Sequence, residues 1–218
     1  MRSAADHESF VRENAAPTPA PLVPELSLYL ATELTPLWEA TEAWLEREQL
    51  PPPYWAFCWP GSAALARLVL DQPSLVEGRR VLDFAAGCGV AALAAASSGA
   101  RRVLAAEIDP FASAATRVNA ALNGLQVETT DEDLVGRPLP EFDLILAGDV
   151  CYEKPMAAAV TGWLEQLARR GAEVLLADPG RAYPPRRGLI ERASYTVPTL
   201  LELEDHESKE TRVFQLLP

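Results

Sequence analysis

The chain has 218 residues, 49% hydrophobic and 23% charged, enough for one domain with a sizeable core and too apolar for a disordered segment. Its formal net charge of −12 argues against a nucleic-acid or anionic-membrane partner and suits a basic protein substrate. Cys58, Cys88 and Cys151 show no CxxC spacing and His7 and His206 no pairing, so neither a disulfide framework nor a metal centre is expected. No apolar run reaches the length of a membrane span, and residues 1–20 mix acids with arginines, unlike a signal peptide or an organelle presequence. A cytoplasmic location is therefore expected.

"AAPTPAPLVP", residues 15–24, reads as an extended lead-in. In "ELSLYLA" the alternation of Leu26, Leu28 and Leu30 predicts a short strand. Thr35-Pro36 reads as the N-cap and first position of a helix to about Glu48. "LPPPYWAFCWPG", residues 50–61, crowds aromatics between prolines with neither a helical nor a strand period, and a helix follows over 62–71. From residue 80 the pattern is regular. Strand "RVLDF" runs into a glycine loop and an alanine-rich helix; strand "RVLAAEI" leads through Asp109-Pro110 into a helix ending at Asn123-Gly124. Strand "LQVET" and an acidic turn precede strand "FDLILAG"; the loop "DVCYEKP" opens a helix to about Gly171, and strand "AEVLLAD" follows. This alternation predicts an α/β fold with a mostly parallel sheet covered on both faces. "ASYTVPTLLELEDHESKETRVFQLLP" has two β-rich segments around a polar turn, read as an antiparallel hairpin on the sheet edge. Residues 1–60 are expected to form an N-terminal extension and 61–218 the catalytic domain.

In an open α/β sheet, ligands sit beyond the carboxyl ends of the strands. "VLDFAAGCGVAALAAA" places Asp83, Gly87 and Gly89 at such an end, and Glu107 ends the next strand, where a carboxylate can accept both hydrogen bonds of a ribose diol. "GCGVAA" also satisfies the G-x-G-x-x-A dinucleotide fingerprint, but a carboxylate at Asp83 would crowd a pyrophosphate. S-adenosylmethionine carries cationic groups there instead, so this spacing favours it. "LILAGDVCYEKP" places Asp149 and Tyr152 just past a buried strand on the same edge. The bland reading is that Asp149 caps the following segment and Tyr152 packs.

With D-x-x-Y after the fourth strand, "WP" ahead of the fold and the strand-D-x-x-x-G-x-G loop, the sequence resembles the seven-β-strand protein lysine methyltransferases, whose fold is a Rossmann-like seven-stranded sheet. "PPPYWAFCWPG", "VLDFAAGCG", "EIDPFA", "GDVCYE" and "ADPGR" are similar to the electron-transfer flavoprotein β-subunit lysine methyltransferase branch, over about residues 22–217. The resemblance implies that Asp83, Gly87 and Gly89 hold the methionine end of the cofactor and Glu107 its ribose. It implies that Asp133, or its neighbours Asp131 and Glu132, meets the adenine, and that Trp59 lies against the cofactor. By the same resemblance Asp149 and Tyr152 are the catalytic residues shaping a lysine channel, and Tyr54, Trp55 and Phe57 line the substrate side. One departure is visible: Ala85 stands where many methyltransferases have the first glycine of the loop.

The implied activity is methylation of lysine side chains, with the β-subunit of the electron-transfer flavoprotein as the expected partner. Two other methyl acceptors fit the same cofactor, a nicotinamide-like small molecule and a ribosomal protein. A nicotinamide-dependent oxidoreductase rests only on G-x-G-x-x-A.

Overall fold

A computed structural model describes residues 3–33, 35, 37, 45, 50–185 and 187–218. The chain opens with helix α1 (Ala4–Asn14), closed at its start by a reciprocal cap. The Ser3 hydroxyl accepts from the Asp6 N–H, and the Asp6 carboxylate accepts from the Ser3 N–H. The Ser-x-x-Asp spacing is the sequence signal for this helix, which composition alone does not reveal.

The proline-rich lead-in is a strand. β1 (Ala16–Ala20) pairs antiparallel with β2 (Val23–Leu30), Pro17 opposite Tyr29 and Pro19 opposite Ser27. Both prolines stand at alternate positions, so their missing N–H groups lie on the side facing away from the partner. On β2 the corresponding N–H groups of Tyr29 and Ser27 donate to the side chains of Asn119 and Asn123 at 2.7 and 3.0 Å. The expected alternation of Leu26, Leu28 and Leu30 appears as three buried side chains. The helix expected from Thr35 to about Glu48 lies, apart from Thr35, Leu37 and Leu45, outside the described residues.

After a short 3-10 turn at Tyr54–Ala56 come α2 (Pro60–Asp71), β3 (Arg80–Phe84), α3 (Val90–Ser97) and β4 (Arg102–Ala106). Then follow α4 (Pro110–Leu122), β5 (Glu128–Thr130), β6 (Leu144–Gly148), α5 (Lys154–Arg169) and β7 (Glu173–Asp178). The chain closes with β8 (Leu189–Pro198), the short helix α6 (Leu201–Glu204) and β9 (Ser208–Leu216). The seven-stranded sheet has the order β5-β4-β3-β6-β7-β9-β8. Strands β5 to β7 in that order are parallel, and β9 runs antiparallel to both β7 and β8. The expected mostly parallel sheet with a C-terminal antiparallel hairpin is present, and the hairpin joins through its second strand.

The parallel strands are buried on both faces. Val81, Leu144 and Leu146 pack with α2, α3 and β2, while Leu82 and Ile145 pack against Trp163, Leu164 and Leu167 of α5. Each such fully buried aliphatic side chain contributes about 2 kcal/mol. Leu26, Leu28 and Leu30 belong to the same cluster as Leu65 and Leu93, and Val11 and Trp55 pack against α4. The described residues among 1–60 thus pack into the same clusters as residues of 61–218. No helix among the described residues is long and apolar enough to cross a membrane. Between β3 and β6 the strand order reverses, which opens a crevice at the carboxyl edge.

Candidate functional site at the strand ends

The loop after β3 turns sharply: Ala85, Gly87 and Gly89 all have positive φ, at 55°, 54° and 80°. The two glycines do different things. A Cβ on Gly89 would lie 2.6 Å from the Thr116 hydroxyl, so this residue lets α3 pack close to α4. Around Gly87 nothing lies within 4 Å of an added Cβ, and the backbone is open to a ligand.

Three carboxyl groups lie at the ends of β3 and β4, Asp83 and Asp109 each within electrostatic reach of Glu107. Asp83, 2% exposed, accepts from the Ala92 N–H in the first turn of α3 at 2.9 Å. Burial pushes it up to about 7, and the charge of Glu107 adds to the rise. Glu107 accepts from the N–H groups of Gly87 and Asp109 at 3.2 and 3.3 Å; burial raises it against these bonds. Asp109 caps α4 by accepting from the Phe111 N–H, and burial brings it to about 6. Ile108, between the last two acids, is 70% exposed although large and apolar. Sequence reasoning missed it, because an apolar residue at a strand end looks like core.

The acids at this edge favour a ligand with a cationic part over an anionic one. An anion such as pyrophosphate meets three acids here, and the α3 N–H of Ala92 is already taken by Asp83. The open Gly87, the carboxylate of Glu107 and the exposed apolar Ile108 could together take a nucleoside that carries positive charge.

The acidic turn begins beside this edge, since the Glu107 N–H donates to the Thr130 carbonyl at 3.0 Å. Asp133 is exposed and accepts from the Val135 N–H at 3.0 Å, while Glu132 pairs with Arg137 at 2.6 Å. Asp131 is exposed next to the strand end.

The aromatic segment divides in two. Tyr54 is 54% exposed; its ring lies 5.9 Å from that of Trp59, whose Nε1–H donates to the Tyr54 carbonyl at 2.8 Å. The Phe57 ring meets Trp59 at 6.1 Å. Trp55 departs from the expected substrate-lining role. It is 2% exposed, its ring 6.4 Å from that of Phe10 on α1 and packed with α4, so it is core and does not reach the site.

Asp149 follows β6 with a left-handed φ of 56°. Its N–H donates to the Ala177 carbonyl at 3.1 Å, which ties it to β7. Both carboxylate oxygens are engaged, Oδ2 by the Ser62 N–H at 3.1 Å and Oδ1 by Arg181 at 3.2 Å. The fit is tight: a Cβ on Gly61 would meet Asp149 Oδ2 at 2.6 Å, and one on Gly148 the Ser62 N at 2.6 Å. Burial lifts Asp149 to about 6, opposed by Arg181 and the N–H groups of Ser62 and Gly61. Asp149 thus caps α2, not the segment that follows it. Tyr152 is 50% exposed; burial first, then the nearby Tyr54, Glu153 and Glu107, raise its phenol.

Arg181, Glu204 and Tyr183 were not singled out by the sequence. Arg181 pairs with Asp149 and Glu204, and its guanidinium lies 5.9 Å from the Trp59 ring centroid. The exposed Tyr183 donates its N–H to the Cys151 carbonyl at 3.0 Å, beside Tyr152. The end of β7 in "ADPGR" was the available signal, since β7, like β3, β4 and β6, is a parallel strand ending at the same edge.

The sequence pattern of the family Ribosomal protein L11 methyltransferase (PrmA) matches residues 64–149, from α2 to the end of β6. The chain is 38% identical to the electron transfer flavoprotein beta subunit lysine methyltransferase of Xenopus laevis, over 99% of this chain and 89% of that one. It is 40% identical to the Danio rerio protein of that name, over 85% and 73% of the two chains. Among solved structures it resembles magnesium protoporphyrin IX methyltransferase from Synechocystis with bound SAM, with a TM-score of 0.52 at 17% identity, over 71% of this chain and 79% of that one. A ribosomal protein L11 methylase from Lactobacillus delbrueckii matches with a TM-score of 0.51 at 20% identity, over 72% and 79%. These structural likenesses show the methyltransferase fold.

Proposed function

The chain belongs to the electron transfer flavoprotein beta subunit lysine methyltransferase family, and from that membership we propose that it methylates lysine side chains of that β-subunit with S-adenosylmethionine as methyl donor. The observation that carries this reading is the acidic edge around open Gly87, where Asp83 and Glu107 stand together at two parallel strand ends. Asp83 meets the cationic methionine portion, Glu107 the ribose hydroxyls and Ile108 the adenine face. Trp59 closes the cofactor side, and Asp133 or a neighbouring acid takes the adenine amino group.

Bound there, S-adenosylmethionine supplies an electrophilic methyl group. The chain's own residues prepare the lysine. An ammonium has no lone pair, so it must lose its proton first. Tyr54 and Tyr152, both half-exposed, present rings that strip water from the lysine and lower its pKa. Aromatic faces also stabilise the methylated cation. Positioning supplies most of the rate, with water as the proton acceptor.

A ribosomal-protein substrate has less support. Similarity to L11 methyltransferases such as that of Caldicellulosiruptor saccharolyticus covers 35% of this chain, whereas the flavoprotein relatives extend through the aromatic segment and the C-terminal hairpin.

The test is incubation of purified flavoprotein with enzyme and S-adenosylmethionine, followed by peptide mass spectrometry. Mass increments of one CH₂ on lysine peptides are expected. Salt slows the reaction, since screening over about 8–10 Å weakens attraction between a lysine-rich surface and a chain of net charge −12. Label on another lysate protein, with none on the flavoprotein, overturns the partner.

A further inference from the structure

We propose that Arg181 is a positioning residue of this site: held by Glu204, its guanidinium keeps the Asp149 carboxylate ionised and oriented and steadies the Trp59 ring, without touching the substrate. The consequence for turnover rests on the lysine methyltransferase reading above; the geometry stands without it.

Four chain segments meet at this guanidinium. Nη2 reaches Asp149 Oδ1 at 3.2 Å, Nη1 reaches Glu204 Oε2 at 3.0 Å, and Nη2 also pairs with Glu204 Oε1. The planar fork bridges the loop after β6 to α6, in the connection between β8 and β9. The backbone of Arg181 is anchored in turn: Asp178 Oδ1 accepts from the N–H groups of Gly180 and Arg181, both at 2.7 Å. Glu204 is pinned from behind by Lys209 at 2.8 Å. Signs alternate along Asp149, Arg181, Glu204 and Lys209, so the row is internally neutral. The side chains are little exposed, at 12% for Asp149, 19% for Arg181 and 4% for Glu204. A pair this sheltered interacts more strongly than a surface pair, and loss of one partner leaves a buried charge unpaired.

The groups that act on Asp149 come from every element around it. The N–H groups of Gly61 and Ser62 approach from α2, and the thiols of Cys58 and Cys151 lie near it from the aromatic segment and its own loop. Both thiols are held protonated, Cys58 by its bond to Cys88 and by burial, Cys151 by burial and Asp178. Arg181 is the full positive charge that the described residues bring against Asp149. Without it, burial wins and Asp149 takes up a proton at neutral pH. A neutral carboxyl no longer holds the Ser62 N–H as strongly, and the start of α2, where Trp59 stands, loosens.

The test compares wild type with Arg181→Gln, which keeps an amide for hydrogen bonding but no charge, and with Arg181→Lys. Carboxyl-¹³C aspartate labelling follows the Asp149 titration directly, assigned by the signal lost in Asp149→Asn. In Arg181→Gln the midpoint is expected to rise by at least about one pH unit, and in Arg181→Lys by less. Methylation by Arg181→Gln relative to wild type is expected to be lowest near neutrality and to recover as pH rises and Asp149 ionises. Arg181→Met serves in place of Gln if that variant does not melt cooperatively. An unmoved Asp149 titration, or a relative rate that is wild-type or flat across pH, overturns the proposal. A wild-type enzyme that leaves the flavoprotein unmodified counts against the functional reading, while the titration still decides whether Arg181 sets the charge of Asp149.

Discussion

The Gly87 N–H donates to Glu107 Oε2 at 3.2 Å, so the loops after β3 and β4 are tied by one bond across the sheet edge. That bond sets the carboxylate beside the open backbone of Gly87, the proposed cofactor site. Glu107→Ala removes this tie and the proposed ribose acceptor together. Charge-assisted bonds of this kind contribute about 1.5–3 kcal/mol each, which is a loss of roughly 10- to 100-fold in affinity. Calorimetry with S-adenosylhomocysteine reads it, and an unchanged dissociation constant rejects the assignment.

Asp83 gives the site a pH dependence with a definite sign. Its folded-state value is raised from 3.8 to about 7, so across that window the folded protein holds a proton that the unfolded chain has released. Stability of the ligand-free protein is therefore expected to fall as pH rises through the window. Cofactor affinity is expected to move the other way, because the ionised carboxylate is the form that holds a cation. Melting curves and calorimetry in parallel check both slopes, and Asp83→Asn should flatten both.

Ala85 adopts φ 55°, where a Cβ is strained. Ala85→Gly relieves about 1 kcal/mol of that strain, partly offset by the greater freedom of glycine in the unfolded chain. A rise of a few tenths of a kcal/mol or more in denaturant stability is expected, with cofactor affinity retained. A lower stability would mean that the Ala85 methyl packs better than its backbone is strained.

Gly61→Ala should do more damage than an alanine in a helix usually does. The new Cβ meets Asp149 Oδ2 at 2.6 Å and the Ala177 carbonyl at 2.8 Å. Overpacking against backbone costs about 1–3 kcal/mol. Thermal melting should fall, and turnover should fall further than cofactor affinity because Asp149 is displaced.

Tyr152→Ala separates lysine handling from cofactor binding. The ring is 50% exposed and lies outside the hydrophobic clusters formed by the described residues, so the fold should tolerate its loss. Turnover on the flavoprotein is expected to drop with little change in S-adenosylhomocysteine affinity; equal loss of both would place Tyr152 in the cofactor pocket.

Much of this architecture is local. "RVLDF" forms the expected strand Arg80–Phe84 because an apolar run bounded by turn residues suits a strand buried on both faces. Once strands and helices alternate, the carboxyl ends of the parallel strands lie on one edge. Asp83, Gly87, Glu107 and Asp149 could therefore be placed there from their positions in sequence alone. The short β5 was legible only in outline, since Glu128–Thr130 starts three residues beyond Leu125, the start expected from "LQVET".

What tertiary structure decided is which neighbours those residues have. Tyr54 and Trp55 are adjacent in sequence, yet one is 54% exposed and the other 2%, because α1 and α4 cover only the second. Gly87 and Gly89 look alike in the motif, but only Gly89 has Thr116 pressed against it. Asp149 and Arg181 are 32 residues apart and meet only because β6 and β7 lie side by side. Periodicity and turn chemistry act over a few residues and can be read along the chain. Burial, charge pairing and the approach of one backbone to another depend on segments far apart in sequence, and only the folded chain brings them together.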